Sequence, residues 1–129
     1  MGIMESQTSQ GPTSGFFDAE SIDGMAVTRQ LSDEELQARL PLDLEVFRET
    51  LRKNRVGRAY LFGSRSRGDH GEHSDIDLLY EAESQPLQLL EYGGLLSALA
   101  KVCPVEVDLA DRIIERMKPY IRDDLVRVL

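Results

Sequence analysis

Residues 74 to 81 read Ser-Asp-Ile-Asp-Leu-Leu-Tyr-Glu, and the first half of that run alternates carboxylates with large apolar residues. A period of two sorts side chains onto two faces only in a β-strand, so the pattern predicts a half-buried strand over 74–81. Asp75 and Asp77 then share the outer face while Ile76 enters the core. Two aligned carboxylates repel each other and destabilise a bare strand. A divalent cation removes that penalty, and Mg²⁺ favours one or two carboxylates together with phosphate oxygens. Val105-Glu106-Val107-Asp108-Leu109 alternates in the same way and predicts a further strand, with Asp108 in a comparable place. If the two strands are neighbours, Asp75, Asp77 and Asp108 converge. Two-metal phosphoryl or nucleotidyl transfer requires that geometry.

The rest of the chain supplies a frame for these strands. Residues 1–30 are poor in large apolar side chains, and such a segment buries too little to offset its ordering entropy. A disordered N-terminal extension is expected there, with one domain over 31–129. Ser32-Asp33-Glu34-Glu35 is a capping-box pattern opening a short helix to Leu40, where Pro41 interrupts. Leu44, Phe47 and Leu51 recur at helical spacing and predict an amphipathic helix over 42–54. Arg58 to Phe62 is a short apolar run read as a strand. A helix is expected from Pro86 to residue 101 with Leu87, Leu90, Leu95, Leu99 and Val102 inward, and a last helix over 111–128, broken at Pro119. The fold class is α/β (α+β), a small mixed sheet with helices packed on it.

Charge and cysteine content narrow the setting. Fifteen Lys and Arg against 23 Asp and Glu give a net charge of −8. That argues against direct nucleic-acid binding or adhesion to an anionic membrane, both of which need clustered cations. Cys103 is the single cysteine and forms no internal disulfide; it reads as a small buried thiol. The N-terminus has neither a basic head nor an apolar segment, and a cytoplasmic location is expected. His70 and His73 lack the further ligands of a zinc site and read as loop residues.

The stretch from Gly63 to Asp77 carries the chemistry. A strand delivers the chain to Gly63-Ser64, where a turn and a short helix begin. Backbone N–H groups at such a turn favour an anion, and glycine lets a phosphate approach. Ser64 adds a hydroxyl, and Arg65 and Arg67 are candidate phosphate contacts. Gly63-Ser64, ten residues, then Asp75-Ile76-Asp77 resembles the signature of the DNA polymerase beta-like nucleotidyltransferase superfamily. Over residues 42–129 the chain is most similar to the minimal nucleotidyltransferase (MNT) antitoxins of HEPN–MNT toxin–antitoxin pairs. Tyr60-Leu61-Phe62, Arg65, Gly68, Ser74 and Val107-Asp108-Leu109 also fit that pattern.

The resemblance implies a nucleotidyltransferase fold and transfer of AMP from ATP to a hydroxyl. It implies that Asp75 and Asp77 hold two Mg²⁺, with Asp108 completing one metal site and helping to deprotonate the acceptor. Gly63 and Ser64 would hold the β- and γ-phosphates. The implied acceptor is a tyrosine of a HEPN-type toxin, whose activity the modification blocks. Two alternatives stay open. One is small-molecule transfer, as in aminoglycoside-modifying relatives, which usually carry an extra helical domain. The other is a non-catalytic antitoxin that masks its partner by binding.

Overall fold

The computed structural model describes residues 30–111 and 122–129. The extension expected over 1–30 lies outside them except for Gln30, as does Pro119. Helix α1 (Asp33–Arg39) begins at the capping box read from the sequence: Ser32 Oγ accepts from the Glu35 amide at 3.1 Å, and Glu35 Oε1 accepts from the Ser32 amide at 2.8 Å. Pro41 forces the residue before it out of helical geometry, and Leu40 is extended accordingly. Helix α2 (Leu44–Lys53) is capped by Asp43 and buries Leu44, Phe47 and Leu51. Arg48 on its flank binds Asp33 at 2.9 Å and the Val128 carbonyl at 2.8 Å, joining three parts of the chain.

Strands β1 (Val56–Phe62) and β2 (Ile76–Ala82) pair antiparallel, and the connection between them holds the short helix α3 (Ser64–Arg67). Helix α4 (Leu89–Val102) crosses from β2 to β3 (Val107–Ala110), which pairs parallel to β2. Parallel neighbours need such a crossover, whereas a hairpin serves antiparallel ones. Strand β4 (Val126–Arg127) closes the other edge, giving the order β3-β2-β1-β4. Helices α2 and α4 pack on each other, and their buried faces join Leu61, Ile76, Leu78 and Val126 in one core. This is the expected mixed sheet with helices packed on it. Burying Ile76, Leu78 and Tyr80 on the helix side leaves Asp77 on the opposite face.

Two expectations are corrected. The final helix does not run to residue 128: residues 122–124 form a 3₁₀ turn and β4 follows. Val126 and Val128 are buried while Arg127 between them is exposed, which is strand periodicity, and the free edge of β1 supplies the pairing. Helix α4 starts at Leu89 instead of Pro86, because Gln88 and Glu91 form a reciprocal cap. Leu90 therefore sits in the first turn, 90% exposed, and the inward face is carried by Leu95 and Leu99. The two glycines within α4 meet no close neighbour: a Cβ at Gly93 would contact nothing, and one at Gly94 would lie 3.9 Å from Asn54 Oδ1. Cys103 is buried as expected, and burial pushes its thiol up to about 11.

Candidate functional site

The sheet register assembles the site. Phe62 at the end of β1 lies opposite Asp77, and Asp77 lies opposite Asp108 on β3. Asp75 immediately precedes β2, across from Glu106, whose carbonyl accepts from the Ile76 amide at 2.9 Å. Carboxylate oxygens of Asp75, Glu106 and Asp108 come within 4.8 Å of one another, and all three residues are exposed. Asp77 completes the array from a half-buried position. Its carboxyl is pushed up to about 6, first by burial, then by the charge of Asp108 and a hydrogen bond with it, and then by Asp75; Arg67 opposes the shift. Period-two spacing thus brings together the three aspartates read from the sequence. Glu106 was missed, although Glu106-Val107-Asp108 repeats the alternation of Asp75-Ile76-Asp77.

Gly63 fits this cluster for two reasons. Its φ of +77° belongs to the region that disfavours side chains, and a Cβ there would collide with Asp77 Oδ2. The backbone therefore runs directly against the carboxylate. The amides of Ser66 and Arg67 close the turn on the Gly63 carbonyl at 3.1 Å each, and Gly68 ends it in the left-handed region. Ser64 opens α3 beside the glycine and is partly exposed.

The two arginines of the turn have different surroundings. Arg65 is 3% exposed, and its guanidinium donates to the carbonyls of Ser74 at 3.0 Å, Arg39 at 2.9 Å, Glu72 at 3.3 Å and Gly71 at 3.5 Å. The side chain read from the sequence as a phosphate contact is, in this structure, a tie among backbone carbonyls. It fixes the 71–74 loop, and the Ser74 Oγ accepts from the Gly71 amide at 2.8 Å to tighten it further. Arg67 is half-exposed and pairs with Asp69 at 3.1 Å and Asp124 at 2.7 Å, close enough to Asp77 to act on its charge. His73 is an exposed loop residue, and His70 Nδ1 is buried without a hydrogen-bond partner among the described residues. Neither histidine joins the carboxylate cluster.

The donor set consists of hard carboxylate oxygens, which suit a Mg²⁺-like cation better than a soft metal. Burial first, and then repulsion from Asp108 and Asp75, raises the Asp77 carboxyl, and a bound cation would relieve the repulsive part.

The nucleotidyltransferase domain family matches residues 44–127, about two-thirds of the chain and all four strands of the sheet. The chain belongs to that family, whose class is the nucleotidyl-transferring enzymes. Among solved structures it is similar to a toxin–antitoxin crystallised with AMP-PNP, at 33% identity over 54% of this chain and 57% of that one, with a TM-score of 0.47. It is also similar to a Sulfolobus solfataricus protein assigned by inference as a nucleotidyltransferase, at 25% identity over 76% and 87% of the two chains, with a TM-score of 0.40. No curated protein matches the chain significantly. No helix among the described residues is long and apolar enough to cross a membrane.

Proposed function

We propose that this protein transfers AMP from ATP to a hydroxyl of a partner protein, a tyrosine of a HEPN-type toxin, and thereby acts as its antitoxin. The observation that carries the transfer chemistry is the in-register pair Asp77–Asp108, flanked by Asp75 and set against Gly63. Asp75, Asp77 and Asp108 are the residues that would hold Mg²⁺. A divalent cation held there would supply charge neutralisation for the phosphates and for the attacking and leaving oxygens. Gly63 and Ser64 receive the β- and γ-phosphates at the turn, where Gly63 presents no Cβ. Asp108, exposed on the rim, takes the proton of the acceptor hydroxyl. The motif resemblance from Tyr60 to Leu109 supports the choice of ATP and of a protein acceptor.

The test is to mix the protein with ATP, Mg²⁺ and the product of its neighbouring gene and to weigh the partner by mass spectrometry. A gain of one or more AMP units is expected, and Asp75→Asn/Asp77→Asn should abolish it. A stable complex with unchanged mass would replace the enzymatic reading with masking. AMP found instead on a small hydroxylated compound would reassign the acceptor.

A further inference from the structure

Arg39, the last residue of α1, lies upstream of the span that the nucleotidyltransferase family matches. Its guanidinium donates to the Ser66 carbonyl and, at 3.4 Å, to the Arg65 carbonyl. Arg65 returns the contact, donating from Nη1 to the Arg39 carbonyl at 2.9 Å. Gly68 makes room for the clasp: a Cβ there would stand 3.2 Å from Arg39 Cζ. On its other side the same turn is held by the C-terminal segment, where Ser66 Oγ donates to the Asp124 carbonyl and Arg67 to the Asp124 carboxylate.

A four-residue helix has almost no stability of its own, because nucleation costs more than one turn returns. The direction in which Gly63 and Ser64 face the carboxylates must therefore be set by whatever grips α3. We infer that Arg39 is a positioning residue for the phosphate-binding turn, so that an element outside the family's matched span is part of this protein's nucleotide site. The inference rests on the function proposed above and adds to it a residue that touches neither nucleotide nor cation.

Two measurements on the full chain test it together. In the protein without ligands, Arg39→Ala should speed hydrogen exchange of the 63–67 amides by about tenfold, leaving the β1 and β2 amides unchanged. In a titration with a nonhydrolysable ATP analogue and Mg²⁺, the same variant should bind about tenfold more weakly. Its binding of Mn²⁺ alone should stay within about twofold of wild type, because the carboxylates sit on the sheet. Arg48→Ala serves as the control: it removes ties from α2 to Asp33 and to the Val128 carbonyl, neither of which touches α3, and should lower thermal stability without changing analogue affinity. Should Arg39→Ala not fold, Arg39→Gln keeps the stem and one amide donor and carries the same test. Unchanged exchange in the turn overturns the inference, and so does faster exchange with unchanged analogue affinity. Wild-type protein that binds no analogue would sink the functional reading and this inference with it, an outcome distinct from a variant-specific null.

Discussion

Arg65 on the short helix after β1 and Asp77 on β2 bring charge to the same end of the sheet, and their surroundings treat them oppositely. The guanidinium of Arg65 is almost fully buried yet meets four backbone carbonyls, so its desolvation is offset by hydrogen bonds. Burial pushes its pKa down, and the nearby Asp75 charge resists that shift. Asp77 is less buried but faces Asp108 and Asp75, whose charge adds to the burial penalty instead of relieving it. One cluster is complete within the protein. The other is left electrostatically unfinished, as a site must be if a cation is to bind it.

The sharpest break of this contrast is Arg65→Ala. It leaves the carbonyls of Arg39, Ser74 and the 71–72 loop without their donor, and it should lower unfolding free energy by about 3 kcal/mol or more, read from denaturant titration. An Arg65 variant of wild-type stability would return the residue to the phosphate-contact role. Asp77→Asn should act in the reverse sense. Nucleotidyl transfer should fall by at least about 100-fold if Asp77 is the direct cation ligand proposed above, since such a loss exceeds that of a supporting partner. The ligand-free fold should melt higher, because a repelled charge has been removed. Activity and stability moving down together would contradict the account of Asp77.

Gly63→Ala is expected to cost about 1–2 kcal/mol from left-handed backbone strain and also to displace Asp77. A calorimetric scan and a Mn²⁺ titration should both register it. The smallest effect is in pH. The folded-state value of Asp77, about 6, lies above its ordinary value of 3.8, so the native state holds the proton more tightly than the unfolded chain. The stability it contributes is complete below about pH 4 and is lost as pH rises through about 6. Other carboxylates pull the opposite way, Asp33 among them, held low by its hydrogen bond to Arg48. The difference in melting temperature between wild type and Asp77→Asn isolates the effect. That difference should widen from pH 4 to pH 7 and shrink again with saturating Mg²⁺.

Local chemistry made much of this legible in advance. The Ser32–Glu35 cap, the Leu44-Phe47-Leu51 stripe and the alternation around Ile76 and Val107 depend on residues a few positions apart, and periodicity reports them directly. The same alternation carried Glu106, which was readable but passed over. The rest depended on distant parts of the chain. Arg65 looks like any loop arginine until α1, 26 residues upstream, supplies a carbonyl to it. Strand β4 is two residues long and exists because β1 offers an edge. Leu90 faces solvent because the Gln88–Glu91 cap fixed where α4 starts, against the pull of Pro86.

The grip of Asp124 on α3 has a consequence for how the protein comes into being. All four carboxylates of the cluster lie before residue 109, so a ribosome has already made them when residues 122–129 are still being added. Until those residues emerge, β1 lacks its β4 neighbour, and Ser66 and Arg67 lack their C-terminal anchor. The hold on α3 is therefore made from segments far apart in the chain, and it is completed after the strands that carry the carboxylates have been synthesised.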